Sequence, residues 1–547
     1  MTLRARDLRF FEPLWTGAQA RALELSTIEE VGISGYVLME HAGRAVADTV
    51  TRLCTGKTLH PVLIFSGSGN NGGDGWVAAR HLWSLGVPAL VVSMVPRHRL
   101  KGDALTAAQN YQKASAHMGW ALPGLPAPWK TVDNPREIFH LMHTLQPHVL
   151  VDALVGTGLN RPLQTPISDW VLNIEQGMES LPSRPQIVAV DIPSGMFTQG
   201  PQLSKIFLRA DVTVTFGGRK LCHAISPTTF SCGEVVNATI GLLPSVETVA
   251  SAPAFALRDD VSFLKNVLQA PGPTVHKGSF GHVGVWVGSD LMQGAAHLAA
   301  LGAQRSASGK VTLFGSAPEM DCLTRLNADV LQAIMPVGML EATELLEQFS
   351  ALVVGPGLPE TAAALNAVAK LIQWSLQGAS PVVVDAGALQ ALSALGAPSV
   401  TLSSKGVLIC TPHPKEAARL LDTTTDEIQN DRLAALRELC ALPINSKCKV
   451  IWVLKGACPM LGEAQSATVV VRGGHAALAV AGSGDVLAGV LAALVTRVPD
   501  PFMATVAAVL AHQQAGAFLQ KQMTVGHTAT DIASAVQSVL YGTQDGD

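Results

Sequence analysis

The chain has 547 residues, more than one ordinary hydrophobic core organises, so two to four domains are expected. Charged residues make up 15% and apolar ones 48%, with Ala, Gly and Val abundant, which suits buried parallel sheets wrapped in helices. A formal net charge of −4 gives no electrostatic case for a nucleic-acid partner, and the eight cysteines, scattered without close pairs, read as reduced apolar residues of a cytoplasmic protein.

Residues 1–7 hold arginines but no apolar run, so a secretory leader is not expected. Residues 16–51 carry helical periodicity and include Leu38-Met39-Glu40-His41-Ala42-Gly43. The apolar run Pro61-Val62-Leu63-Ile64-Phe65 then meets Gly67-Ser68-Gly69-Asn70-Asn71-Gly72-Gly73-Asp74-Gly75, and a helical pattern follows from Trp76. This reads as a strand, a glycine-rich turn and a helix N-terminus, where bare N–H groups and the helix dipole favour an anion such as phosphate. It matches neither common nucleotide-loop pattern. Asn70, Asn71 and Asp74 add oxygens suited to a hard cation or a ribose hydroxyl; an ordinary βα loop is the plainer alternative.

Strand and helix patterns alternate beyond it, with strands expected at 89–94, 148–155, 187–191 and 210–216. Two strands end in acids: Asp152, ahead of Gly156-Thr157-Gly158-Leu159, and Asp191, ahead of Ile192-Pro193-Ser194-Gly195. Each acid alone is equally a capping residue, but an acid ending an apolar strand is costly to bury without a role. The stretch 246–256, rich in Ser, Ala, Val and Pro, is the expected linker between domains at 1–245 and 257–547.

The second half repeats the alternation without repeating the sequence. Strands at 283–287, 351–354, 382–384, 407–410 and 450–454 lead into Gly355-Pro356-Gly357, Asp385, Thr411-Pro412-His413-Pro414 and Lys455-Gly456. Ala481-Gly482-Ser483-Gly484-Asp485 precedes an apolar helix, so its N–H groups form an anion hole with Asp485 beside it as a base for a hydroxyl. A plain N-cap is the alternative for Asp485, and a turn-holding role the alternative for His413. The apolar window 476–495 contains Asp485 and several glycines and reads as buried loop and helix, with no membrane role. The fold class expected is α/β, with two doubly wound domains.

The GNNGGDG run with the later DAL-x-GTGL and DIPSG segments resembles the YjeF N-terminal family of NAD(P)H-hydrate epimerases. The TPHP, LKG and AGSGD segments resemble the ribokinase-like NAD(P)H-hydrate dehydratases. Departures from the family patterns fall at Met196-Phe197-Thr198, Leu221-Cys222-His223, Lys415 and Arg305-Ser306-Ala307. The resemblance implies a Rossmann-like epimerase joined to an ADP-dependent dehydratase, acting on hydrated NADH (NADHX) and NADPH (NADPHX). It implies potassium held by Asn71, Asp152 and Ser194, and hydrate contacts from Asn70, Asn71, Gly72, Gly73, Asp74, Gly156, Thr157, Gly158, Leu159, Asn160, Arg161, Pro162 and Asp191. In the second half it implies hydrate contacts from Ala295, Gly357, His413 and Asp485, nucleotide contacts from Lys455, Gly456, Gly482, Ser483 and Gly484, and magnesium with ADP. Asp191 and Asp485 are the expected catalytic acids or bases, Lys220 stands where the family has a lysine, and a homo-oligomer is expected. Two other readings remain at this stage, a ribokinase-like kinase of a vitamin precursor and a non-catalytic interaction scaffold.

Overall fold

The computed structural model describes residues 9–56, 60–122, 124–159, 161–198, 200, 202–269, 272–287, 292–315, 320, 329–335, 344–377, 380–395, 406–464 and 466–542. The chain divides into two compact units, Pro13–Ala254 on one side and Met1–Glu12 with Phe255–Asp547 on the other.

After a short first strand, β1 (Phe11–Leu14), the first unit holds β2 (Val62–Ser66), β3 (Ala89–Ser93), β4 (Trp129–Thr131), β5 (Val149–Ala153), β6 (Gln186–Val190), β7 (Val212–Phe216) and β8 (Glu234–Ala238). Among the described residues these form one sheet in the order β4-β3-β2-β5-β6-β7-β8, with every neighbouring pair parallel. Alternate residues of β2 serve two cores. Val62 and Ile64 pack with the helices Gly35–Cys54, Asn70–Ser84 and Gly102–Met118, while Leu63 and Phe65 pack with Arg136–Leu145 and Ile167–Glu179. A parallel sheet covered on both faces needs this near-continuous apolar content. The chain runs outward from β2 to β3 and β4, then returns to place β5 on the other side of β2. The loops after β2 and β5 therefore diverge and leave a crevice between them.

The second unit adds β9 (Ala254–Leu257), β10 (His282–Trp286), β11 (Lys310–Gly315), β12 (Leu331–Ile334), β13 (Ala351–Val354), β14 (Val382–Val384), β15 (Val407–Cys410), β16 (Lys449–Leu454), β17 (Met460–Glu463) and β18 (Thr468–Val470). The sheet order is β1-β9-β18-β17-β16-β15-β14-β13-β10-β11-β12. Pairs from β12 through β16 are parallel, and β17 and β18 attach antiparallel. Its order reverses between β10 and β13, which puts the start of helix Gln293–Arg305 and the loop after β13 at that crevice. Helix Pro501–Gln522 is long and apolar enough to cross a membrane, but 78% of its apolar window is buried within the fold.

Two local expectations change. The glycine run is helical rather than a loop, because helix Asn70–Ser84 starts one residue after its N-cap Gly69. Gly72, Gly73 and Gly75 are there for packing: a Cβ would lie 2.1 Å from the Gly67 carbonyl at Gly72, 2.6 Å from Met39 Cε at Gly73 and 2.8 Å from Ala153 Cβ at Gly75. The stretch 246–256 carries the short helix Val246–Ala250 and the start of β9, since Phe255, 1% exposed, makes that end a buried strand.

Candidate active sites

The crevice of the first unit is a cavity of about 770 Å³. Its floor is the two diverging loops, with Gly67, Ser68, Gly69, Asn70, Asn71 and Asp74 from one and Leu154 to Gly158 from the other. Helix Gly17–Glu29 contributes Arg21 and Glu24, the end of β6 contributes Asp191, and the segment after β7 contributes Lys220.

Asp191 stands in the left-handed region, φ 63°, which re-aims its side chain at the end of the strand. Its Oδ1 accepts from Lys220 Nζ at 2.5 Å and from Thr215 Oγ1 at 2.9 Å. The Lys220 ammonium, only 2% exposed, also donates to Thr215 Oγ1 at 2.8 Å and to the Phe216 carbonyl at 2.9 Å. Trp15 fixes that lysine: it bridges Lys220 in parallel, donates its N–H to the Arg219 carbonyl and accepts from Leu221 N–H. Beneath it, His223 Nδ1 accepts from Lys220 N–H, and burial with the nearby ammonium pushes the ring down to about 3, so it is neutral.

Oδ1 of Asp191 is thus engaged, and the carboxyl is held at the cavity wall. Asp74 differs. Burial, then the neighbouring Asp191 and Glu24 carboxyls, push it well above the usual carboxylate range. Glu24 is raised too, by burial first and Asp191 next, against the opposing pull of Lys220 and Arg21.

Asn71, Asp152 and Ser194 gather below the Gly156 turn. Asp152 accepts from Ser194 Oγ at 2.6 Å, Ser194 N–H at 2.7 Å and Leu154 N–H at 3.2 Å. Asn71 Oδ1 lies 2.6 Å from where a Cβ on Gly156 would stand, and Asn71 Nδ2 is buried without a partner. The oxygens of Asn71, Asp152 and Ser194 are hard donors of the kind a monovalent cation takes. Thr157 and Gly158 line the cavity, whereas Leu159, Arg161 and Pro162 line an adjoining concavity that shares Val155, Gly158, Pro166 and Ile167 with it. Gly72 and Gly73 pack behind the cavity, and Asn160 lies outside the described residues.

In the second unit, helix Ser483–Val495 has Gly482 as its N-cap, φ 86°, and Asp485 is its third residue rather than its cap. Burial, then Asp385, push Asp485 up to about 6, with Lys455 pulling the other way. Lys455 Nζ donates to Asp385 Oδ1 at 2.6 Å and lies 3.9 Å from Glu416 Oε2. Thr411 Oγ1 donates to Asp385 Oδ1 at 2.7 Å. Gly484 is open to this group: a Cβ there would be 3.5 Å from Lys455 Nζ and 3.7 Å from Asp385 Oδ2. Ser483 is braced by the buried His512, whose Nε2 lies 3.0 Å from the Ser483 carbonyl and 3.2 Å from its hydroxyl.

Lys455 and Gly456 sit on a loop that Arg432 holds from below, through bonds to the Leu454, Lys455 and Cys458 carbonyls. His413 is the N-cap of helix Pro414–Leu421, its Nδ1 accepting from Lys415 and Glu416 N–H groups. Gly357, φ 72°, lies against Met292, next to the first turn that carries Ala295.

Reading by sequence missed Glu24, Thr215 and Glu416 and gave Lys220 and Asp385 no role. Lys220 had a signal, a lysine four residues past an apolar strand. The others had none, because each looks like an ordinary polar position until the fold brings it to a site. Among the described residues no group of three or more His, Cys, Asp or Glu is placed to hold a metal.

The family model described as "NAD(P)H-hydrate dehydratase" matches residues 283–538, and that described as "YjeF-related protein N-terminus" matches residues 35–222. The chain is 30% identical over 512 residues to the bifunctional NAD(P)H-hydrate repair enzyme Nnr of Coxiella burnetii, covering 92% of this chain and 94% of that one. It is 27% identical over 544 residues to the Escherichia coli protein of the same name, covering 98% and 96%. An ADP/ATP-dependent NAD(P)H-hydrate dehydratase from Bacillus subtilis, co-crystallised with ATP and Mg2+, is 27% identical over 50% of this chain and 94% of its own, with a TM-score of 0.42. With both units matched and nearly the whole length shared, the chain belongs to the family of bifunctional NAD(P)H-hydrate repair enzymes.

Proposed function

We propose that the unit at Pro13–Ala254 interconverts the R and S hydrates of NADH and NADPH, and that the unit built on Phe255–Asp547 dehydrates the S form with ADP, giving AMP and phosphate. The observation that carries this is the arrangement of acids: each sheet has a crevice where its strand order reverses, Asp191 lines the cavity that the start of helix Asn70–Ser84 also lines, and Asp485 stands in the first turn of helix Ser483–Val495.

Epimerisation needs the hydroxyl to leave the ring as water, pushed by the ring nitrogen, and to return to the other face. Asp191, oriented by Lys220 and Thr215, exchanges the proton. The Asn70–Ser84 N-terminus and the Gly156 turn hold the substrate phosphates. Asn71, Asp152 and Ser194 would hold potassium, which would offset phosphate charge there.

For dehydration, Asp485 takes the proton of the ring hydroxyl as that oxygen attacks the β-phosphorus of ADP. The N–H groups of residues 482–484 carry the charge spread over the phosphoryl in transfer. Phosphate then leaves with the C–O electrons while the ring nitrogen pushes. Lys455 holds Asp385 and offsets the surplus of carboxylates around Asp485. Magnesium would be carried by the nucleotide phosphates, whose charge it would neutralise.

On this reading the boundary between the two activities falls at 246–256, and buried free thiols at Cys222, Cys232, Cys410 and Cys448 support a reducing, cytoplasmic setting. The test is a mixture of NADHX epimers incubated with protein and either ADP or ATP. Recovery of reduced-nicotinamide absorbance is expected, with both epimers consumed. A stable phosphorylated product without that recovery would contradict the reading.

A further inference from the structure

We infer that Asp74 is a second acid–base residue of the first site, sharing its cavity with Asp191, so that the hydroxyl departs towards one carboxyl and returns from the other. This rests on the epimerase reading above. Asp74 stands in the second turn of helix Asn70–Ser84, which follows β2, and Asp191 follows β6. β5 lies between those strands, so the two carboxyls reach the site from different elements. Both side chains line the same cavity.

Their surroundings differ. Asp191 Oδ1 accepts two hydrogen bonds, one from an ammonium, which suits a carboxylate. Asp74 is 9% exposed, and among the described residues no cation or hydrogen bond counters its burial. The charged groups around it are Glu24 and Arg21 from helix Gly17–Glu29, Asp191 and Lys220, with Asp103 acting on Glu24. A packing or binding role alone does not require a carboxyl held in that isolation. A carboxyl raised by burial beside one that is paired with an ammonium divides the acid and base tasks.

In the step, Asp74 gives its proton to the ring hydroxyl. The C–O bond breaks with its electron pair on oxygen, water is released, and the ring nitrogen forms C=N. Water adds to the opposite face of the same carbon and gives a proton to Asp191. No oxidant or reductant is involved. The turnover exchanges the charge states of the two carboxyls, and the half-buried Glu24, which lines the same cavity, carries the proton back to Asp74.

The test uses the full chain without nucleotide, with epimers resolved by chromatography. Asp74→Asn is expected to lower kcat about 100-fold or more while KM stays within about threefold, and to abolish the alkaline fall of the kcat/KM profile. Asp74→Glu, which keeps a carboxyl, should retain that fall. Wild-type protein in H2(18)O should put label into the hydroxyl of both epimers at the rate of epimerisation. Wild-type kcat with an unchanged alkaline limb in Asp74→Asn overturns the assignment, as does epimerisation without label uptake. If the wild-type protein does not equilibrate the epimers at all, the epimerase reading itself fails, a different result from either.

Discussion

Lys220 is tolerated at 2% exposure because Asp191, Thr215 and the Phe216 carbonyl surround its ammonium. Truncating one member of such a pair strands the other charge. Lys220→Met should therefore lower stability by roughly 3–5 kcal/mol in denaturant melts and abolish epimerisation while dehydration of S hydrate persists. Asp485 makes the opposite trade. Its carboxyl is raised to about 6 from 3.8, so the folded state favours the protonated form; that contribution is whole below about 4 and is lost as pH rises through 6. Asp485→Asn should accordingly be more stable than wild type at pH 7–8, by roughly 1–3 kcal/mol, with the gain vanishing near pH 4. The kcat/KM for dehydration should fall below about pH 6 as the base is protonated, measured as initial absorbance recovery. Asp152 and Asp191 were conspicuous in the sequence because a charge ending an apolar strand stands out. The Lys455–Asp385 pair did not stand out as a pair, since its members are 70 residues apart and only the parallel sheet brings them together.

Two helices position the anion hole of the second unit, and they touch backbone to backbone. A Cβ on Gly489 would lie 1.8 Å from the Ala299 carbonyl, and one on Gly302 would lie 2.3 Å from the Val486 carbonyl. Gly489→Val should force helix Ser483–Val495 away from Gln293–Arg305. Melting should show a loss of roughly 1–3 kcal/mol, and dehydration should fall well before epimerisation does. The apolar pattern made these helices readable, but not their closeness, since a glycine in an apolar helix looks the same whether it meets a backbone or a void. The GNNGGDG run shows the same limit. Its composition argued for a turn, and tertiary packing against Gly67, Met39 and Ala153 made it the first turns of a helix instead.

At the scale of the molecule, the alternation of strands and helices was enough to read two doubly wound sheets, because buried parallel strands are written as unbroken apolar runs. The ends were less legible: Phe11 and Phe255 lie in strands of only four residues, and nothing local says that both belong to the larger sheet. Since each unit carries its own acid at its own crevice, single substitutions should separate the two activities. The most direct measurement gives a mixed pool of NADHX epimers and ADP to wild type, Asp191→Asn and Asp485→Asn, following absorbance and epimer composition together. Wild type should consume both epimers, Asp191→Asn should consume S and leave R, and Asp485→Asn should equilibrate the two without recovering absorbance. Rapid loss of R in Asp191→Asn, or full recovery in Asp485→Asn, would contradict the account.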